Sequence, residues 1–393
     1  MENNPNNEFK MIKELKLLDT TLREGMQLRP VNFTIDQQLA IVQGLNEFGI
    51  DIIELTSAVA YPGVEQEIIQ IKKHCSGAKL VVHSRAVRSD IERALSCGVD
   101  GIDLFLGTSL WSQEFGHGRK KDEIIKTVVP FVQWLKKEGV FVRYGAEDAF
   151  RTDIKELLEI LKPIVGSGVD QIDLPDTVGS ATPFQVQRTV KLVRQQFQEV
   201  DIEFHGHNDM GCAVANSLAA ILGGANVIDV SLLGLGERVG ITSLGGMVAA
   251  LQSVNPLLLE KYNLKLVIPL ERMVASFLGI QVPFNQPLSA EYAWGHSAGV
   301  HLNAIIKNPE SYENLNPEVF GGKRILNIGS RLTGKNILTE RAKEIGLSLT
   351  ENQVLEAVAK VKTEAVRENR VLEVEEVDEI LRGVEKSGDN DKK

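Results

Sequence analysis

Cysteine is almost absent: Cys75, Cys97 and Cys212 are the three in 393 residues. Their spacing forms neither a multi-cysteine zinc motif nor a disulfide framework, and it favours a reducing compartment, the cytoplasm. Missing too is any apolar run of membrane-spanning length free of polar or charged breaks, and the N-terminal stretch is polar where a secretory segment would be apolar. No sustained basic stripe offsets a formal charge of -10, from 53 acidic against 43 basic residues, so the phosphate attraction expected of a nucleic-acid binder is not there. Solenoid repeats and low-complexity segments do not occur. What is present, 43% apolar and 24% charged residues, can build one large core with a smaller attached domain.

Eight strand-like runs follow one another at residues 15–23, 51–57, 79–84, 101–107, 140–148, 171–176, 201–209 and 226–234. Helical patterns lie between them, including 35–48, 122–137, 153–165, 184–197 and 213–222. This alternation predicts an α/β fold, either a closed parallel TIM (β/α)8 barrel or an open doubly wound sheet. Polar residues decide between them. Arg23, Glu24, His83, Asp103, Arg143, Glu147, Asp176, Thr177, His205 and His207 recur at or just past strand ends, as at the C-terminal mouth of a barrel. Helical patterns continue at 243–254 and 267–280. From 283 the rhythm changes to Pro- and Gly-punctuated sequence and helical patterns such as 351–361. The expected division is a catalytic barrel with an N-terminal extension over 1–282 and a mainly helical C-terminal region over 283–393, its last charged residues, 385–393, a solvated end.

The sharpest local feature is His205-Gly206-His207-Asn208-Asp209. Alternate residues of a strand share a face, so the two imidazoles can approach one ion. Glu24 can add a carboxylate oxygen at the same mouth. Such a set suits Mg, Mn or Zn and leaves positions for a chelating oxygen substrate. Asp19 is the alternative ligand; otherwise it would hold Arg23 or cap the turn that follows.

Seven stretches in order carry a resemblance: 19–27 (DTTLREGMQ), 143–151 (RYGAEDAFR), 176–183 (DTVGSATP), 205–211 (HGHNDMG), 234–246 (GLGERVGITSLGG), 296–301 (HSAGVH) and 331–336 (RLTGKN). The chain resembles the DRE-TIM metallolyase superfamily, in the branch of homocitrate, isopropylmalate and citramalate synthases, and the pattern fits homocitrate synthase best. The resemblance implies a Claisen-type condensation in which acetyl-CoA, as cosubstrate, adds its methyl carbon to a 2-oxo acid before thioester hydrolysis. It implies a divalent metal on Glu24, His205 and His207, with Arg23 stabilising negative oxygen. It implies that Glu147, His301 and Tyr312 handle the proton or the hydrolytic water, and that Gln27, His83, Arg143 and Thr177 hold substrate. Since His301 and Tyr312 lie outside the barrel, it implies a homodimer whose C-terminal region covers the partner's active site.

Arg143, Thr177 and His83 match positions that hold the oxo acid in homocitrate synthases, so the resemblance implies a dicarboxylate such as 2-oxoglutarate, which arginine and threonine can bind. Two departures bear on that substrate. Met26 stands where the family commonly has glutamate, and Gly145 where the homocitrate branch has serine. Glu54, Asp103, Gln27 and Asn208 are expected to support the ligands or substrate, and the 234–238 turn either contributes to binding or is simply tight. A large leucine-sensing region is not expected. The alternatives are a synthase using another 2-oxo acid, an acyl-CoA lyase, and a metabolite-sensing barrel without turnover.

Overall fold

The computed structural model describes residues 8, 9, 12, 14–296 and 299–390, which divide into two compact units, 1–289 and 290–393. In the first unit, eight strands alternate with helices: β1 (Lys16–Asp19), α1 (Ile35–Phe48), β2 (Ile52–Leu55), α2 (Val64–His74), β3 (Lys79–Arg85), α3 (Arg88–Ser96), β4 (Gly101–Phe105) and α4 (Lys121–Lys137). The second half continues with β5 (Phe141–Gly145), α5 (Ile154–Gly166), β6 (Gln171–Asp176), α6 (Pro183–Gln196), β7 (Asp201–Gly206), α7 (Ala213–Gly223), β8 (Val227–Val230), α8 (Leu244–Val254) and α9 (Val267–Phe277). All eight strands are parallel and β8 pairs back onto β1, with Asp19 opposite Val230, so the sheet is closed. The doubly wound alternative is excluded.

Local chemistry sets the element ends. Helix α1 starts at a capping box, in which Thr34 accepts from the Gln37 amide and Gln37 reaches back, and it stops at Gly49, whose φ of 91° few other residues tolerate. Its buried positions Ile41, Val42, Leu45 and Phe48 form one helical stripe. Several strands are shorter than their apolar patterns suggested. Residues 20–23, 146–148 and 231–234 leave the ladder once their backbone bonds go to turns, and these turns carry the site.

The barrel interior is layered. At the N-terminal end Leu18, Ile52, Val81 and Val227 close the bore with Phe141 beside them. One pleat period further along, Glu54, Asp103, Arg143, Asp173, Glu203 and Asp229 are all buried. Above that charged layer the bore opens at the C-terminal mouth. The 283–289 segment belongs with this unit, because the Gln286 amide and Ser289 hydroxyl donate to Glu271 of α9. The same buried carboxylate accepts from the Leu233 and Gly245 amides at 3.3 and 3.1 Å, tying down the β8–α8 loop.

The second unit contains α10 (Gly299–Lys307), α11 (Lys335–Glu344), α12 (Glu351–Arg367) and α13 (Val374–Asn390), with a two-stranded parallel pair, β9 (Gly295–His296) and β10 (Ile325–Leu326). Its core is apolar, built from Leu302, Leu338, Val361, Val377 and Leu381 among others. Helix α13 runs through the expected solvated end as far as 390; there Lys386 is exposed and Glu385 accepts from the Ser348 amide.

Candidate active site and metal centre

A cavity of about 370 Å³ opens at the C-terminal mouth of the barrel. Arg23, Glu24 and Gln27 enter it from the loop after β1, His83 from β3, Glu147 and Thr177 from the loops after β5 and β6, and His205 and His207 from the end of β7. Glu24, His205 and His207 are buried, and one ligand atom from each lies within 4.8 Å of the other two. The two imidazole Nε2 atoms are 3.3 Å apart, and His207 Nε2 is 3.8 Å from Glu24 Oε1.

This donor set fits a divalent cation. Asp229, on β8, lies 2.5 Å from His205 Nδ1, which fixes the proton there and turns the Nε2 lone pair toward His207. At 3.3 Å the two nitrogens either share a proton carried by His207 Nε2 or turn both lone pairs to one cation. Burial, with Arg23 close to His205 and His205 close to His207, lowers each imidazole to about 4, leaving both neutral as metal ligands must be. Burial works against ionisation of Glu24, yet Arg23 and the two histidines hold it below the usual carboxylate range. The Glu237 amide donates to Glu24 Oε1 at 2.8 Å, so the 234–238 turn orients a ligand through its backbone. That turn needs glycine: Gly240 has φ 88°, and a Cβ there would stand 1.9 Å from the Gly234 carbonyl oxygen.

A second group of similar composition, Glu54, His83 and Asp103, also satisfies the distance test. Its interior already holds a cation. Arg143 NH1 lies 2.5 Å from Glu54 and 3.3 Å from Asp103, while NH2 reaches Asp173 at 3.1 Å and Glu203 at 2.6 Å. His83 Nδ1 is 2.5 Å from Asp103, and its ring stacks on Phe105 at 4.0 Å. Burial would lower His83, but Asp103 and Glu54 together raise it, the opposite of a metal-binding imidazole. Two arginines cannot balance all these acids, so protons remain in the layer: burial together with neighbouring acids pushes Glu203 up to about 8 and Asp173 well above the ordinary range.

Arg143, expected to clamp substrate, is 1% exposed and is not among the residues lining the cavity; its two terminal nitrogens are held by four acids, while its Nε has no hydrogen-bond partner among the described residues. Asp19 is no metal ligand and no partner of Arg23: its two oxygens accept from the Thr21 amide and hydroxyl, capping the turn. Arg23 instead pairs with Glu24 and with Glu54, the latter at 2.7 Å. Thr177 Oγ1 accepts from the Asp148 amide at 2.9 Å, leaving its own proton for a group in the cavity. Burial and Asp148 raise Glu147, which suits a proton carrier. Asn208 braces the start of α7 by accepting from the Ala213 amide. In the second unit His301 and Tyr312 face each other, ring centroids 4.2 Å apart, and both are exposed. Asp229, Glu237 and Asp173 were not anticipated. The readable sign for Asp229 and Asp173 was an acid set among apolar residues, as in Val-Ile-Asp-Val of β8 and Gln-Ile-Asp-Leu of β6.

A closed (β/α)8 barrel with a glutamate and two histidines converging at its mouth defines a class of metal-assisted barrel enzymes. Comparison with known proteins refines this. The HMGL-like family model matches residues 14–274, and a homocitrate synthase post-HMGL domain-like model matches 288–369. The chain belongs to the HMGL-like family, as an acyltransferase-type enzyme that forms carbon–carbon bonds. It is 39% identical over 343 residues to the mitochondrial homocitrate synthase of Saccharomyces cerevisiae, covering 87% of this chain and 78% of that one. It is 37% identical to the homocitrate synthase of Sulfolobus acidocaldarius, covering 84% and 71%. Among solved structures, hydroxymethylglutaryl-CoA lyase from Pseudomonas aeruginosa shares the fold, with TM-score 0.61 and 20% identity over 72% of this chain and 96% of that one. No helix among the described residues is long and apolar enough to cross a membrane.

Proposed function

We propose that the chain condenses acetyl-CoA with a 2-oxo acid, 2-oxoglutarate being the first candidate and homocitrate the product. The observation that carries this reading is the convergence of Glu24, His205 and His207 beside the Arg23 guanidinium in one cavity of a chain related to homocitrate synthases. A base removes a methyl proton from acetyl-CoA, the resulting carbanion adds to the ketone carbon, and the ketone oxygen becomes a hydroxyl after taking up a proton. Water then cleaves the thioester, releasing CoA as its thiol and leaving a carboxylate. A bound Mg, Mn or Zn ion would supply Lewis acidity for the ketone oxygen. Arg23 adds charge where the oxyanion develops. Glu147 carries a proton at the cavity wall, and His301 with Tyr312 enter as its partners through the motif alone. A homodimer and a cytoplasmic location are part of the same proposal.

A second reading, a different 2-oxo acid, is favoured by Arg143, whose two terminal nitrogens are held by carboxylates and which does not line the cavity. The test is CoA thiol release from acetyl-CoA with a panel of 2-oxo acids under each metal, with products identified by mass. Homocitrate from 2-oxoglutarate supports the first reading, and a different product mass the second. No thiol release with any acid would sink both.

A further inference from the structure

Asp148, the residue after Glu147, is 2% exposed and has a left-handed backbone, with φ 62° and ψ 37°. Few residues other than glycine adopt that conformation, aspartate and asparagine most readily among them. Its carboxylate is anchored on both sides. Ser109, in the loop after β4, donates to Oδ2 at 2.5 Å, and the Arg151 guanidinium donates to Oδ1 and Oδ2 at 2.8 and 2.7 Å. Beyond this reversal Ala149 and Phe150 are buried, and Phe150 packs edge-on against Phe204 of β7. Before it, Glu147 stays at the cavity wall, its carbonyl oxygen accepting from the Thr108 amide at 2.9 Å. The Asp148 amide donates to Thr177 Oγ1 at 2.9 Å, which leaves the threonine proton for the cavity that Thr177 lines. One residue thus sets two cavity groups that come from different loops.

We infer that Asp148 is a positioning residue for the condensation: its pinned left-handed turn holds the Glu147 carboxylate at the cavity wall and aims the Thr177 hydroxyl proton at the 2-oxo acid. This deepens the proposed function and rests on it. The loop after β4 supplies the other half of the setting. A Cβ at Gly107 would collide with Ser112, whose hydroxyl bonds to Glu147, so glycine there lets the serine approach. The Ser112 amide donates to Ser109 Oγ at 3.2 Å, so one turn reaches both neighbouring carboxylates. Burial raises Glu147; of the charges facing it, Asp148 raises it further, while His117 of the loop after β4 and His83 of β3 lower it, and Tyr144 of β5 lies close by. Asp148 therefore acts on Glu147 by charge as well as by backbone, and the two are separable. Asparagine keeps the turn and the amide donor but drops the charge, whereas alanine loses the anchor and disfavours the turn.

The first test needs no turnover. Oxalate, which sets a carboxylate beside a second carbonyl oxygen as every 2-oxo acid does, is titrated by calorimetry into the Mn-supplemented parent, Asp148→Ala, Thr177→Val and the double variant. Each single change is expected to raise the oxalate Kd by about five- to twentyfold, and the double change by no more than about twice the larger, because both remove one hydroxyl contact. Effects that multiply, or a parental Kd in Asp148→Ala, overturn the inference. Loss of Mn binding in Asp148→Ala overturns it too, as a general disturbance of the mouth. CoA release is then followed from about pH 5 to 9 with the most active 2-oxo acid. Asp148→Ala should lower kcat by about thirtyfold or more, whereas Asp148→Asn should stay within about fivefold, with the limb that reports Glu147 moved to lower pH. An asparagine variant as slow as the alanine one, or one whose limb does not move, overturns the role. A parent that releases no CoA with any acid overturns the condensation instead, and the oxalate cycle still decides whether Asp148 and Thr177 act together.

Discussion

Two carboxylate–histidine groups meet in one cavity, nearly identical in composition and opposite in behaviour. In Glu24–His205–His207 the imidazoles are held neutral and their Nε2 atoms face each other beside Glu24 Oε1, while Arg23 pairs with the other oxygen of Glu24. In Glu54–His83–Asp103 the imidazole is raised toward its charged form, and the Arg143 guanidinium stands among the acids. Ligand type alone therefore does not make a metal site. What separates the two is how far a guanidinium fills them: Arg143 spans both acids of the second group, whereas Arg23 takes one oxygen of Glu24 and leaves the other facing His207. The carboxylates behind the imidazoles differ in degree: Asp229 holds the distal nitrogen of His205 with Arg23 3.9 Å away, whereas the Asp103 oxygen on His83 has Arg143 at 3.3 Å.

The sharpest way to break this comparison is to remove one imidazole from each group. His207→Ala is expected to abolish measurable Mn binding and to lower turnover by about a thousandfold or more, since it removes one of three ligands. His83→Ala should leave Mn affinity within about threefold, as read by calorimetry. Equal losses from both would mean that the second group also binds metal. Next in size is Arg143→Met. Stripping the cation from four buried acids should cost about 3–5 kcal/mol in denaturant unfolding, a buried charge network broken on one side. A loss under about 1 kcal/mol would show that the acids were already neutral.

Asp229→Asn follows, with an expected 10–100-fold drop in metal affinity, because an amide no longer fixes the His205 tautomer as firmly. Unchanged affinity would remove Asp229 from the explanation. The smallest effect concerns Asp19, outside both groups, which burial raises to about 7 against an ordinary value of 3.8. The folded state then keeps a proton that the unfolded chain releases from about pH 4 upward. Asp19 therefore subtracts stability progressively between about pH 4 and 7, and the deficit levels off above that. Asp19→Asn should gain Tm relative to the parent across that window, and a constant Tm difference from pH 4 to 8 would contradict the raised value.

Much of this was legible beforehand, for reasons tied to particular residues. The eight strands announced themselves because buried parallel strands are short apolar runs separated by helices, and His205 and His207 because their spacing on a strand is diagnostic of a shared face. Arg143 was visible as a residue, but its role was not. The resemblance assigned it to substrate, a role that arginine's bidentate pairing with carboxylates suits. Which carboxylate it meets depends on barrel register, which sets Asp103 and Gln171 opposite it and brings Asp173 and Glu203 to its far side. Periodicity along one strand holds no information about what the neighbouring strand places beside it. That the end of the chain is helical went unread for a simpler reason: a charged composition describes the solvent face of a helix as well as it describes a tail.

The charged layer also couples the halves of the barrel. Arg143 comes from β5, while its partners Glu54 and Asp103 come from β2 and β4, and Asp173 and Glu203 from β6 and β7. A fragment ending after β4 would bring Glu54 and Asp103 together without this guanidinium. One beginning at β5 would bury it against two acids of four. Neither half holds all the partners alone, so completing the layer that underlies the site requires the ring to close.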